Sequence, residues 1–143
     1  QEMVRRFWEG TIHGAYVGHG ETYVHPDDIL WWSKGGVLHG ESPARIAFYR
    51  RILEESPAGG LDPVPNIAGY FKCAGQPGAY YLTYFGVHQP RQITLTLPED
   101  AAFAVDIIDT WDMTITPLPE PCSGSTQVEL PHKPYIALRA RRV

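Results

Sequence analysis

The sequence predicts a mainly β protein: an antiparallel β-sandwich of about seven strands, preceded by a helical and loop segment. Two observations lead to this fold class. From residue 68 onward, short strand patterns recur between turn-forming pieces that are rich in glycine and proline. Before residue 60, helical periodicity and a long glycine-rich loop dominate instead. We therefore expect two parts, residues 1–60 and residues 61–143.

The composition limits the classes of protein and of partner. Of the 143 residues, 43% are hydrophobic and 20% are charged, which is typical of a soluble globular protein. The chain is too short for a complete eight-stranded α/β barrel, which needs about 250 residues. The formal net charge is -4 and no basic stripe could follow phosphates, so we expect no nucleic acid partner. No apolar run approaches the roughly 18 residues of a membrane span, so we expect no membrane partner.

The two cysteines allow one disulfide. Cys73 and Cys122 could form it if the fold brings them together, but two free thiols are slightly favoured. A single pair of cysteines carries little information about the redox compartment of the protein.

The chain begins in an amphipathic pattern, without a methionine or a signal peptide. This beginning is typical of a segment that continues from a preceding one.

Residues 2–9 have the periodicity of an amphipathic helix. Its apolar face consists of Met3, Val4, Phe7 and Trp8. This face requires a partner surface. A second helix is predicted to begin at Ser42 and Pro43, with serine as the N-cap, and to end before Ser56.

Between the helices we expect a short strand and a long functional loop. Residues 15–17 have a strand-like pattern bounded by glycines. Residues 24–42 are predicted to be a loop with one or two helical turns, because the sequence from His25 and Pro26 is a helix-start signal. Helix, strand and polar loop in this order form the repeat unit of an α/β barrel or a doubly wound sheet.

The second part contains the predicted sandwich strands. Their ranges are 68–73, 79–85, 92–97, 103–110, 113–118, 126–130 and 135–141. The strand at 79–85 is aromatic on both faces, so one face must meet something other than water, such as the preceding helical segment. Residues 61–65 are predicted to form the boundary between the two parts. Trp111 lies between two strand patterns and is predicted to be a packing anchor.

Charged residues of the second part are expected to lie in turns or to face water. Three arginines alternate with small apolar residues, which is typical of the solvent face of a terminal strand. Three aspartates lack the ligand density and the glycine of a calcium loop, and they are predicted to be turn and surface carboxylates. These residues are Arg139, Arg141 and Arg142, and Asp106, Asp109 and Asp112.

The candidate binding site lies in the first part. His19 and Glu21 occupy a glycine-rich loop after the predicted strand, and Trp31 and Trp32 follow it closely. Imidazole and carboxylate groups can hydrogen-bond sugar hydroxyls, and an indole face can stack on the C–H face of a sugar ring. These residue types together favour a polar ligand, above all a sugar. A polar loop whose side chains satisfy one another and the backbone fits the spacing of His19 and Glu21 equally well.

A metal site is another interpretation of the same region. Several possible ligands crowd the N-terminal third: His13, His19, Glu21, His25 and His39. Imidazole and carboxylate are common metal ligands, but these spacings match no strong metal-binding signature. We therefore expect neither a metal nor another cofactor.

A series of motifs extends along nearly the whole chain. The first part contains Arg-Arg-Phe-Trp at 5–8, Gly-x-Tyr-Val-Gly-His-Gly-Glu-Thr-Tyr at 14–23 and Leu-Trp-Trp-Ser-Lys-Gly-Gly at 30–36. The second part contains Tyr-Tyr-Leu-x-Tyr-Phe-Gly at 80–86 and Ile-Asp-Thr-Trp-x-Met-Thr at 108–114. In this order the motifs resemble the end of bacterial glycoside hydrolases that have an apiosidase-like (α/β)8 barrel and a C-terminal β-sandwich.

The resemblance implies that the chain is part of a longer enzyme. Residues 1–56 would be the seventh barrel helix, the eighth strand with its functional loop, and the closing helix. The acid/base and the nucleophile of such two-carboxylate glycosidases would lie on strands before Gln1. The catalytic residues are therefore unknown, and this chain alone is expected to be inactive. The sugar subsite would be lined by His19, Glu21, Tyr23 and one of the two indoles, Trp31 or Trp32.

We therefore predict the C-terminal portion of a carbohydrate-active glycoside hydrolase, supplying subsite residues and a structural β-sandwich. Its partners would be an oligosaccharide or glycoside substrate and the rest of the catalytic barrel. The apolar flanks of the first segment should fold onto the aromatic sandwich face or form a homodimer. The main alternative is an autonomous carbohydrate-binding β-sandwich module without catalysis. Bacterial cytoplasm and periplasm both stay open as locations.

Overall fold

The structure is a computed structural model that describes residues 1–18, 23–26, 28–30, 40–58 and 60–143. The helices within these ranges are α1 (Glu2–Ile12) and α2 (Ser42–Glu54). The strands are β1 (Tyr23–His25), β2 (Asp28–Leu30), β3 (Asp62–Ala68), β4 (Phe71–Gln76), β5 (Tyr80–Tyr84), β6 (Gln92–Thr96), β7 (Phe103–Asp109), β8 (Thr114–Pro117), β9 (Ser125–Glu129) and β10 (Ile136–Arg142). None of the described helices is long and apolar enough to cross a membrane.

The fold is an antiparallel β-sandwich with a helical layer on one side. The larger sheet has the strand order β3-β4-β5-β10-β7-β8, and β6 pairs with β9 in a smaller sheet. All of these pairings are antiparallel. Side chains of the smaller sheet pack on one face of the larger sheet, and side chains of α1 and α2 pack on the other. The predicted mainly β sandwich is therefore confirmed, and its larger sheet is covered on both faces.

The core between the sheets is built from side chains that alternate along each strand. Leu95 in β6 and Val128 in β9 share one cluster with Phe103 in β7 and Leu138 in β10. All four side chains are at most 2% exposed. Each strand thus places every second residue in this core, and its remaining residues face the opposite way.

The opposite face of the larger sheet is aromatic, and α1 covers it. Tyr84 of β5 stacks on Trp8 of α1, with ring centroids 5.6 Å apart and an interplanar angle of 28°. Tyr49 of α2 meets Trp8 edge-on, with centroids 5.4 Å apart. Tyr80 and Leu82 of β5 belong to the same cluster. The first segment therefore folds onto the aromatic face of the sandwich, as expected from the pattern at 79–85.

A buried arginine joins the second helix to the sheet. Arg139 of β10 lies opposite Asp106 of β7 in the strand register, and both are 3% exposed. The Arg139 Nε donates to Asp106 Oδ2 at 2.9 Å, and Nη1 donates to Glu55 Oε2, just beyond α2, at 2.5 Å. Arg141 also donates to Asp106, at 3.0 Å. An isolated buried charge is strongly unfavourable, so this cluster holds the end of α2 against the sheet.

This cluster corrects two predictions about charged residues. Arg139 does not lie on a solvent face, and Asp106 is not a surface carboxylate. The physical reason is that the helices cover the face of β10 that alternation alone assigns to water. Arg141 and Arg142 are exposed, as predicted.

The predicted strand at 68–73 is wrong, because the chain turns within it. Residues 69 and 70 form the turn between β3 and β4, and Gly69 has a φ of 59°, which glycine adopts readily. β3 starts at Asp62, next to the predicted boundary, and contains Pro63 and Pro65. Prolines are tolerated there because β3 is an edge strand of the sheet. The division into residues 1–60 and 61–143 stays a prediction.

Two predictions for the first part are also wrong. Residues 15–17 form no strand in the structure. β1 and β2 pair as an antiparallel hairpin at a place where a loop with a helical turn is predicted. α2 begins at Ser42 as predicted, although Glu41 rather than Ser42 is its N-cap residue.

Replacing Arg139 by methionine should lower the free energy of unfolding by roughly 3–5 kcal/mol, because it leaves the buried Asp106 with one partner fewer. Urea denaturation followed by circular dichroism measures the change. The matched control is Arg142→Ala, an exposed arginine on the same strand, which should change stability by less than about 0.5 kcal/mol. Equal effects of the two substitutions would contradict a stabilising role of the cluster.

Both thiols should be unreactive in the folded protein. Cys73 and Cys122 are free and are 1% and 6% exposed. Burial raises the pKa of each thiol and so disfavours the reactive thiolate. Ellman's reagent at neutral pH should titrate neither cysteine in the native chain and both after denaturation. A thiol that reacts rapidly under native conditions would disagree with this structure. So would a failure to titrate two thiols after denaturation without reductant, because it would indicate a disulfide.

Candidate functional site

Most of the residues predicted to bind sugar lie outside the described residues. These are His19, Glu21, Trp31 and Trp32. Tyr23 is the first residue of β1. Their grouping into one site therefore stays a prediction. The structure contributes the geometry of the elements that lead into this loop and out of it.

In the sequence, the hairpin of β1 and β2 separates Glu21 from Trp31. Tyr23 pairs with Leu30, and His25 pairs with Asp28. Sequence reasoning misses this hairpin, because His25 and Pro26 also match a helix-start signal. The signal that could have found it is a pair of strand-forming stretches, Tyr23-Val24 and Ile29-Leu30, on either side of Pro26.

The segment that leads from α1 into the predicted loop is exposed. The Ala15 N–H donates to the Gly10 carbonyl at 2.8 Å, which ends the helix. Tyr16 is fully exposed to solvent. Within the part of the chain that the structure describes, residues 15–17 pair with no strand. Among the described residues, Ala15 and Tyr16 are therefore exposed, whereas Val17 packs partly against the helical core.

A cleft of about 440 Å³ lies beside this segment. Its lining includes Ala15 and Val17 from the segment and Tyr49 and Leu53 from α2, and Asp62 is its charged residue. Burial raises the pKa of Tyr49, and the Tyr49 hydroxyl hydrogen-bonds the Thr11 hydroxyl of α1. The described lining is mixed, because apolar side chains alternate with Thr11, Ser56 and Asp62. Its single carboxylate has no second acid or base beside it for catalysis.

The first turn of α2, where the chain returns from the predicted loop, is anchored to the sandwich. The guanidinium carbon of Arg45 lies 3.8 Å from the centre of the Trp111 ring. The Arg45 Nη1 donates to the Glu41 carbonyl at 2.9 Å. Trp111 lies between β7 and β8, where its backbone N–H donates to Asp109 Oδ1 at 3.0 Å. Trp111 is thus the packing anchor that the sequence predicts, and it joins the sandwich to α2.

Lys133 holds the turn that carries Trp111. Its Nζ forms ion pairs with Asp109 and, at 2.6 Å, with Asp112. The hydrogen bond from Lys133 lowers the pKa of Asp112. The hydrogen bonds to Asp109 and Asp112 raise the pKa of Lys133. Both carboxylates therefore stabilise the turn. Asp112 is an exposed turn carboxylate, as predicted. The prediction is wrong for Asp109, which ends β7 and is only 8% exposed, because its Oδ1 turns inward to accept the backbone N–H groups of Trp111 and Asp112.

A second cleft, of about 200 Å³, lies between the C-terminal half of α1 and the turns that follow β3 and β5. Its lining includes Glu9, His13, Tyr70, Lys72 and His88, together with aromatic residues of the sheet. Sequence reasoning included none of them in the sugar site, because they come from three separate segments that only the fold brings together. Among the described residues, no group of three or more histidine, cysteine or carboxylate side chains could hold a metal ion.

The described fold is similar to a crystal structure of a protein named a putative glycoside hydrolase, from Bacteroides vulgatus. The TM-score is 0.80 and the sequences are 28% identical, and the match covers 99% of this chain. It covers 32% of that chain, so this chain spans about a third of the length of its match. The similarity defines a mainly β domain related to glycoside hydrolases, with two helices packed on its larger sheet.

The chain belongs to the family described as a domain of unknown function, DUF5605, which matches residues 70–141. This range extends from the turn after β3 into β10 and so contains most of the sandwich. No curated protein matches the chain. The relationship to glycoside hydrolases therefore depends on the structural match.

Replacing Trp111 by alanine should destabilise the chain by about 2 kcal/mol, because α2 loses both ring packing and the contact with Arg45. Trp111→Phe should recover at least half of the loss, since it keeps an aromatic face. Tyr16→Ala, which removes an exposed aromatic side chain, is the control and should have little effect. Urea denaturation measures all three variants, and a Trp111→Ala variant as stable as the control would contradict the anchor.

Proposed function

We propose that this chain is the C-terminal portion of a longer glycoside hydrolase. Residues 1–60 would complete an (α/β)8 barrel of the apiosidase-like kind, and residues 61–143 would form its supporting sandwich. One observation carries the proposal: the helices and the sandwich together match a third of a protein named a putative glycoside hydrolase, with a TM-score of 0.80. The rest of the longer protein would supply the two carboxylates that hydrolyse the glycosidic bond.

The exposed segment after α1 supports the barrel role. In an α/β barrel, the strand that follows a helix pairs with a neighbour on each side. Residues 15–17 occupy this position in the chain order, and the fully exposed Tyr16 lies within them. Preceding barrel strands would cover this segment and fill the adjacent cleft of about 440 Å³. The same cover would provide hydrogen-bond partners for the backbone of residues 16 and 17, which pairs with no strand among the described residues.

The β1–β2 hairpin supports the sugar subsite. Tyr23 and Leu30 are partners at one end of the hairpin. The loop residues before Tyr23 and those after Leu30 therefore join the hairpin at the same end. We propose that this end presents His19, Glu21 and Tyr23 with one of two indoles. The indoles are Trp31 and Trp32.

Each group in the proposed subsite has a defined task. The carboxylate of Glu21 and the imidazole of His19 would hydrogen-bond sugar hydroxyls, and the indole would stack on the sugar ring. Glu21 would bind sugar rather than attack it, because in this proposal the nucleophile and the acid/base lie on strands before Gln1. The sandwich would contribute rigidity, since Trp111 holds the first turn of the helix that follows the loop.

The coding sequence upstream of Gln1 gives the first test. We expect it to encode the earlier strands of an α/β barrel, with two carboxylates at strand ends. A start codon next to Gln1 would contradict the proposal.

The longer protein should hydrolyse nitrophenyl glycosides, and residues 1–143 alone should not. In the longer protein, replacing both Trp31 and Trp32 by alanine should lower kcat/KM by about 10-fold or more, through loss of stacking. Arg50→Ala, on the exposed side of α2, is the control and should leave kcat/KM unchanged. Hydrolysis by residues 1–143 alone would overturn the proposal. A carbohydrate-binding module would be favoured instead by two results together: oligosaccharide binding is saturable after deletion of residues 1–56, and the longer protein hydrolyses no glycoside.

A further inference from the structure

The cleft of about 200 Å³ contains an exposed aromatic ring that is held in place. Tyr70 is 73% exposed. Its ring stacks on Phe71, with centroids 4.3 Å apart and an interplanar angle of 29°. Phe71 is buried and meets Phe85 edge-on at 4.7 Å. The Tyr70 ring is therefore a platform fixed to the sandwich core.

His88 forms a wall beside this platform. Its ring centroid lies 6.3 Å from that of Tyr70 and 5.4 Å from that of Phe71, with both contacts close to edge-on. The backbone N–H of His88 donates to the Phe85 carbonyl at 3.0 Å. This bond fixes the turn after β5, so the imidazole is placed in the cleft by the same core that holds the platform.

The C-terminal half of α1 supplies the remaining polar groups. The His13 Nδ1 lies 2.7 Å from the Glu9 carbonyl oxygen. A carbonyl can only accept, so Nδ1 carries a proton and the Nε2 atom is left to interact with a ligand. Arg5 holds the Glu9 carboxylate at 2.6 and 2.7 Å. A Cβ at Gly86 would lie 3.0 Å from Glu9 Oε1, so the glycine leaves room for this carboxylate.

These groups suit one neutral sugar ring. An aromatic face can stack on the C–H groups of a sugar, while imidazole and carboxylate bind its hydroxyls. The lining carries one acidic and one basic residue, Glu9 and Lys72, so it has no excess charge to select a phosphate or a polyanion. The volume of about 200 Å³ is smaller than the roughly 300–1,000 Å³ of pockets for drug-sized ligands, which favours a single ring.

We propose that this cleft is an additional sugar-binding subsite, with Tyr70 as its stacking platform and Glu9, His13 and His88 as its polar contacts. The choice of a sugar as ligand depends on the proposed function. The subsite itself is formed by α1 and two turns of the sandwich, and it shares no residue with the predicted loop site. Its occupant would be one neutral ring of a glycan.

Nuclear magnetic resonance titration of the whole chain tests the subsite. The probes are the methyl β-glycosides of glucose, galactose and xylose, which as single rings should bind with a Kd of about 1 mM or weaker. At least one probe should cause saturable shifts of the Gly69, Tyr70, Gly86 and His88 amides. Tyr70→Ala should weaken this binding by about 10-fold. Tyr16→Ala, which removes another exposed tyrosine ring, is the matched control and should keep the wild-type Kd.

The possible outcomes separate this inference from the proposed function. No saturable shift with any probe, or shifts confined to residues 19–32, would overturn the subsite. Binding unchanged in Tyr70→Ala would also overturn it, and the amide spectrum of that variant shows that it is folded. If a probe binds in the cleft but the longer protein hydrolyses no glycoside, the subsite is supported and the hydrolase proposal is removed. If the longer protein hydrolyses a glycoside but no probe binds in the cleft, the hydrolase proposal is supported and the subsite is overturned.

Discussion

The larger sheet must be covered on both faces, and this requirement organises the whole chain. Its central strands, β5 and β10, place buried side chains on both sides. The smaller sheet covers one side, while α1 and α2 cover the aromatic side. Arg139 reinforces this arrangement, because its buried charge is balanced by Asp106 on the sheet and Glu55 beyond α2. The helices and the sandwich are therefore one packed unit, although the sequence changes character between them.

Local alternation explains why much of the sandwich could be predicted. β6 and β7 lie within one residue of their expected bounds, since period-two patterns depend only on neighbours along the chain. β3 was missed because proline is evidence against a strand unless the strand is known to be at an edge. The burial of Arg139 and Asp106 was missed for a related reason. Which face of β10 meets water depends on the helices, and the pattern of β10 contains no information about them.

The candidate sites differ in how far sequence alone could identify them. The predicted loop site is contiguous, so its residue types were visible in one stretch, although its geometry stays a prediction. The Tyr70 cleft combines a helix end with two turns of the sandwich. Glu9 and His88 are far apart in sequence, and no spacing rule connects them. Only the packing of α1 on the sheet, through Trp8 and Tyr84, brings these residues together.

Scanning calorimetry of the intact chain tests most directly whether the helices are an integral layer of the sandwich. If α1 and α2 provide the cover that the larger sheet requires, the chain should unfold in one transition, with equal calorimetric and van't Hoff enthalpies. Hydrogen exchange should then protect the amides of both helices together with those of β5 and β10. Two separate transitions, with the helices unfolding first and the sheet remaining intact, would contradict this account.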